Sequence, residues 1–262
     1  MKTGFKKILY ILCILGAGLC IGFLAYYYFH LQENKKIYED LQSQTESGTE
    51  ISEISTRIIF MPQLSAETSP ESAESRKSPE IPVNFSELQQ INPEIYAWIE
   101  IPGTEVNYPI VQSASDNSYY LNHTIEGIVG YPGSIYSEGI NSKDFQDYNT
   151  LIYGHDMEDG SMFGGLYKFK DAEYLKAHEN LFIYTPEHKF TYRIFMAVTY
   201  DDRHIMGSFD FSDKKDREAY LASIGNTDSE VSADDRIITL STCIAGQPSN
   251  RLLVEAVLIN EE

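Results

Sequence analysis

Cys243 is the residue of this 262-residue chain whose type and setting most favour covalent chemistry. It ends the run Arg236-Ile237-Ile238-Thr239-Leu240-Ser241-Thr242-Cys243, and a second apolar run opens at Arg251 and continues to Ile259. Both runs are rich in β-branched residues. The segment between them, Ile244-Ala245-Gly246-Gln247-Pro248-Ser249-Asn250, has turn chemistry, so the runs are expected to pair as strands. Opposed residues in such a pair have Cα atoms about 4.5–5.5 Å apart. The pairing would set a guanidinium beside a thiol, and a cation there favours thiolate, the nucleophilic form. The alternative is a buried, inert cysteine, a common fate for a free thiol.

Among the six histidines, His155 stands apart. It follows the apolar stretch Asn149-Thr150-Leu151-Ile152-Tyr153 and sits in Gly154-His155-Asp156. A histidine at a strand end beside a flexible glycine suits proton transfer, the alternative being an ordinary loop histidine. His123, His178, His188 and His204 lie in polar surroundings and read as solvated surface. No metal is expected, because Cys-x-x-Cys, His-Glu-x-x-His and calcium-loop patterns are lacking. Neither a dinucleotide glycine motif nor a phosphate loop occurs, and no cofactor is expected. Gly160-Ser161-Met162-Phe163-Gly164-Gly165 has neither the lysine nor the spacing for phosphate.

These groups need elements to position them. Strands are expected at Trp98–Ile101, Val106–Val111, Ser134–Tyr136, Thr150–Tyr153, Leu181–Tyr184 and Phe190–Tyr200. With the two flanking Cys243, that makes eight, and the turn signals between them point to a closed barrel. Helices are expected at Ser86–Ile91, Asp171–His178 and Asp213–Ile224. In the last strand Leu252, Val254, Ala256 and Leu258 share one face and can fill a core, while Arg251 and Glu255 fall on the other.

The other two cysteines, Cys13 and Cys20, lie in an uncharged stretch from Ile8 to Phe29, long enough to span about 33 Å as a helix. Lys2, Lys6 and Lys7 precede it, and Tyr26, Tyr27 and Tyr28 close it as an interfacial aromatic cluster. A cleaved signal peptide is the alternative, but the apolar core is too long and no Ala-x-Ala-like site follows. Residues 1–7 are therefore read as a cytoplasmic tail and 8–29 as a transmembrane anchor. Residues 30–80 form a flexible acidic stalk in this reading, with a local apolar patch from Ile51 to Met61. Residues 81–262 form one catalytic domain. The chain carries 39 acidic and 20 basic side chains, a formal net charge of −19, which speaks against nucleic-acid binding.

The chain resembles the class B sortases, membrane-anchored cysteine transpeptidases of Gram-positive bacteria. The resemblance is carried by Thr239-Leu240-Ser241-Thr242-Cys243 with Arg251, by Asn149 through Met157, and by Asp159-Gly160-Ser161-Met162-Phe163. Ala97-Trp98-Ile99-Glu100-Ile101-Pro102-Gly103-Thr104 and the stretch from Tyr108 to Leu121 add to it. Asp156 stands where Asn is common. The resemblance implies a mainly β, eight-stranded sortase barrel with a few added helices, preceded by one transmembrane helix. It implies Cys243 as nucleophile, His155 as general acid and base, and Arg251 as substrate and oxyanion stabiliser. Ser241 and Thr242 would shape the pocket, or serve only in strand packing, and the Ile244 N–H would assist the oxyanion. The implied partners are secreted proteins bearing a sorting signal, cleaved after Thr, and an amine of a peptidoglycan precursor. The catalytic domain would then lie outside the cell, with the N-terminus inside. Two rivals remain at this level: a membrane-tethered peptidase that hydrolyses its substrate, and a non-catalytic surface binding domain.

Overall fold

The structure is a computed structural model and describes residues 13–26, 28–29, 32, 35–43 and 79–262. The chain divides into two units, Met1–Leu41 and Gln42–Glu262.

In the second unit eight strands close into a barrel in the order β1-β2-β3-β4-β7-β8-β6-β5. They are β1 Ile95–Glu100, β2 Asn107–Val111, β3 Ile135–Ser137, β4 Asn149–Tyr153, β5 Asn180–Tyr184, β6 Lys189–Asp201, β7 Ile237–Cys243 and β8 Asn250–Glu261. Every strand expected from the sequence is present. Antiparallel pairing of β1 with β5 closes the ring. Two pairings are parallel, β2 with β3 and β4 with β7. Parallel neighbours need long connections, and both connections leave the barrel and return. One is the excursion from β2 to β3, residues 112–134. The other strand inserted beside β4 arrives only after the excursion from β6 to β7, residues 202–236.

The helices are α1 Phe85–Ile91, α2 Ala172–Ala177, α3 Ile205–Ser208 and α4 Lys214–Ser223. Three match expectation; the one-turn helix α3 and the 3₁₀ segment Gly164–Lys170 were not foreseen. The bounds of α4 follow from its ends. The Asp213 side chain accepts from the Lys215 N–H at 2.9 Å, capping the start. Gly225, in the left-handed region at φ 76, ends it. The Gly225 and Asn226 N–H groups return to the Ala222 and Leu221 carbonyls, as expected where a glycine stops a helix.

Strand alternation gives β7 and β8 two faces, and both are buried. Leu240, Leu252, Val254 and Ala256 fill the barrel. Ile237, Leu253 and Val257 instead join a second apolar cluster with Tyr220, Leu221 and Ile224. The excursion carrying α3 and α4 thus roofs the outside of the barrel. Each fully buried Leu or Ile in such a layer contributes about 1.5–3 kcal/mol. Glu255 lies on the face of Arg251, as its parity requires, and beneath this layer it is 0% exposed. Its carboxylate accepts from the Tyr220 hydroxyl and the Thr239 hydroxyl, both at 2.8 Å.

In the first unit residues 13–26 are helical, and Ile14, Leu15, Leu19, Ile21, Phe23 and Leu24 are all exposed. Among the described residues no helix is long and apolar enough to cross a membrane. Residues 8–12 of the expected span lie outside the described residues. Residues 35–43 are also helical, and the Gln42 side chain donates to the Asn107 carbonyl at 2.8 Å. Most of the expected stalk, including 44–78 with the Ile51–Met61 patch, lies outside the described residues.

Candidate active site

The hairpin of β7 and β8 pairs Cys243 directly with Arg251. Along β7 the residues from Ile237 to Thr242 are buried and Cys243 alone is exposed, so the inert-thiol alternative does not hold. The connecting loop turns twice, through hydrogen bonds from Gln247 N–H to the Ile244 carbonyl and from Asn250 N–H to the Gln247 carbonyl, both at 3.0 Å. One terminal nitrogen of Arg251, Nη1, donates to the Pro248 and Asn250 carbonyls at 2.9 Å each. The guanidinium is thereby braced by its own loop, and no acceptor among the described residues takes its remaining N–H groups. No acceptor among the described residues takes the Ile244 N–H.

His155 reaches the same edge through the parallel pairing of β4 and β7. Tyr153 is the partner of Ser241, and the Gly154 N–H continues the ladder to the Ser241 carbonyl at 3.3 Å. His155 follows at once, beside the end of β7. Gly154 is needed here: a Cβ at this position would lie 2.5 Å from Ile135 Cδ1 and 2.7 Å from the Phe163 ring. The His155 Nε2 lies 2.6 Å from the Leu121 carbonyl. A carbonyl only accepts, so Nε2 carries the hydrogen and Nδ1 remains for proton exchange. The Tyr131 ring meets the imidazole edge-on at 5.1 Å between centroids. The loop after His155 closes through the Phe163 N–H to the His155 carbonyl at 3.0 Å and a bridge between Asp156 and Met162. His155 and Cys243 follow the ends of neighbouring strands at one edge of the barrel, without a hydrogen bond between them.

Other sequence-derived candidates fall on two faces. Ser241 shares the face of Cys243, whereas Thr242, paired with Leu252, turns to the barrel interior. Thr242 is 3% exposed, and its hydroxyl has no hydrogen-bond partner among the described residues. Strand packing is thus its observed setting. Ile244 is partly exposed.

Sequence reasoning missed the groups that surround this edge. Tyr136 and Tyr153 are cross-strand partners with ring centroids 5.2 Å apart. Burial, with the nearby charges of Glu138 and Cys243, pushes the Tyr136 hydroxyl up to about 12. Tyr153 is raised further, by burial and by the hydrogen bond it gives Glu138. Both phenols stay neutral, and Tyr136 lies within reach of the Cys243 charge. Glu138, 4% exposed, accepts from Tyr153 Oη at 2.7 Å and from His204 Nε2 at 3.0 Å. His204 is exposed, as expected of a surface histidine, and is held in place by Glu138. Its partner lies far off in sequence, which no local signal reveals. Among the described residues no group of three or more His, Cys, Asp or Glu side chains could hold a metal ion.

Comparison with known proteins agrees with this geometry. Residues 99–259 match the sortase domain. Sortase B of Listeria monocytogenes is 31% identical over 221 residues, covering 82% of this chain and 89% of the relative. A crystal structure of sortase B from Bacillus anthracis in complex with AAEK1 superimposes with a TM-score of 0.67 at 33% identity, covering 89% of this chain and 99% of that one. A Staphylococcus aureus sortase B–substrate complex gives a TM-score of 0.67 at 25% identity, covering 88% of this chain and 99% of the other. A barrel of this topology with a cysteine and an arginine paired at its edge belongs to the sortase family. Within it the chain is a class B sortase, a cysteine transpeptidase acting on cell-wall sorting signals.

Proposed function

We propose that the enzyme cleaves the sorting signal of secreted proteins after Thr and joins the new carboxyl to an amine of a peptidoglycan precursor. The observation that carries this reading is the Cys243–Arg251 pair in register, with His155 at the end of the adjoining parallel strand. In the first half-reaction the Cys243 thiolate attacks the Thr carbonyl carbon. The oxyanion that forms is met by the free N–H groups of Arg251 and the Ile244 N–H. Collapse breaks the C–N bond, His155 gives its proton to the departing amine, and a thioester to Cys243 remains. In the second, the acceptor amine attacks the thioester, His155 takes the amine's proton, and the thiolate leaves. An amide bond is made for the one broken.

The relative solved as a substrate complex supports substrate binding by this fold. Ser241, on the same face as Cys243, is proposed to line the peptide's path. The apolar residues exposed along helix 13–26 support an anchor spanning residues 8–29. The N-terminus would be inside and the catalytic domain outside. The test is to incubate the full chain in detergent with a Thr-containing sorting peptide and an oligoglycine amine, then sequence the products by mass spectrometry. Peptide joined through its Thr carboxyl to the amine is expected. Free acid alone, at every amine concentration, would contradict transfer and favour a hydrolase.

A further inference from the structure

We infer that Glu138 is a positioning residue that sets the width of the substrate groove by tying its two walls to its floor. The inference rests on the peptide-cleaving reading above. Glu138 directly follows β3, and its carboxylate makes no hydrogen bond to the thiol or the imidazole. Its carboxylate gathers donors from three separate parts of the fold. Asn117 Nδ2, from the β2–β3 excursion, reaches Oε1 at 2.5 Å. Tyr153 Oη, from β4, reaches Oε2 at 2.7 Å. His204 Nε2, from the β6–β7 excursion, reaches the same oxygen at 3.0 Å.

Those three donors occupy meaningful places. Tyr153, the floor of the inferred groove, is paired with Ser241, two positions before Cys243. Asn117 leads into the turn that ends at Leu121, whose carbonyl holds His155. His204 immediately precedes α3, whose Ile205 packs in the apolar cluster outside the barrel. Asn117 is itself held, its Oδ1 accepting from the Gly139 N–H at 2.5 Å. A buried carboxylate is costly to keep unless each oxygen is satisfied. Here Oε1 is satisfied from the β2–β3 excursion, and Oε2 takes a second donor from the β6–β7 excursion beside Tyr153, so both excursions close on the same point. An extended peptide lying along the floor toward Cys243 would meet walls already set at a fixed separation, which favours binding by preorganisation. Glu138 touches neither reacting atom, so its effect should appear in KM.

The test compares the full-length enzyme with Glu138→Gln, His204→Ala and His204→Gln. The probe is the fluorogenic Thr-containing peptide that the wild type cleaves fastest in a library screen. Glutamine is isosteric with glutamate but offers an amide N–H₂ to donors. The expected result for Glu138→Gln is a KM raised about tenfold or more with kcat changed less than about threefold. Alkylation of Cys243 by iodoacetamide, which needs no groove, should keep its wild-type rate. The His204 side chain is 59% exposed, so His204→Ala cannot fail by unfolding the barrel, and it should raise KM by a smaller factor. His204→Gln keeps a donor at the reach of Nε2 and should restore a near wild-type KM. An unchanged KM in Glu138→Gln, or His204→Gln as poor as His204→Ala, would overturn the inference. A fall in kcat and alkylation rate together would also overturn it, by showing general loosening. A wild-type enzyme that cleaves no peptide while Cys243 alkylates normally would instead contradict the reading beneath it.

Discussion

At the scale of single residues, the arrangement depends on a guanidinium whose direction is fixed. Two loop carbonyls accept from Nη1 of Arg251, so its other N–H groups project from a braced plane. Lysine would supply the charge but not the plane. Arg251→Lys should therefore lose nearly as much kcat/KM as Arg251→Ala, measured on one sorting peptide. Lysine restoring most of the turnover would show that Arg251 acts through its field alone. Cys243 and Arg251 were legible in the sequence because a short loop with turn residues joins two β-branched runs, and such pairing is local. His155 was legible as a residue type beside a glycine, but its approach to Cys243 depends on parallel pairing across the long β6–β7 excursion. Glu138 and His204 carried no local signal at all. Their meeting is a consequence of closure, not of spacing.

At the scale of elements, the roof over β7 and β8 changes what the last strand contains. Alternation alone places Glu255 on the side of Arg251, and the parity was right. What the sequence could not convey is that α4 would dock there and bury the carboxylate with Tyr220 and Thr239. The helix from Asp213 to Ile224 was legible in the sequence; its docking partner was not. Burial raises the Glu255 carboxyl from 4.5 to about 7, against the lowering effect of its two hydroxyl donors. The native state thus binds more protons than the unfolded chain between about pH 4.5 and 7. Stability falls as pH rises through that window, by on the order of 3 kcal/mol. Replacing the ionisable group by Glu255→Gln should raise Tm relative to wild type increasingly from pH 5 to pH 7, with a constant difference above. A difference independent of pH would show that Glu255 does not titrate there.

At the scale of the whole molecule, the barrel, its strand count and three of its helices were readable from alternation and turn residues, while the proposed anchor rests on an uncharged run of the sequence. The packing of the two long excursions was not readable, because it is decided by residues they meet only on folding. If residues 8–29 hold the chain in a bilayer with the catalytic domain outside, protease added to intact cells should release a fragment containing Cys243. The same chain lacking residues 1–29 should be recovered in the medium or the soluble fraction. Full protection of the domain in intact cells would reverse the proposed orientation.

The most direct measurement of the central claim is the mass of the enzyme caught between its two half-reactions. Full-length protein is mixed with a Thr-containing sorting peptide without an acceptor amine, quenched in acid, digested and analysed. The account predicts an acyl group, the peptide up to and including Thr, on Cys243. Hydroxylamine should remove it, as expected for a thioester, and Cys243→Ala should show neither the adduct nor cleavage. Cleavage that persists in Cys243→Ala, or an acyl group on Cys13 or Cys20 instead, would contradict it.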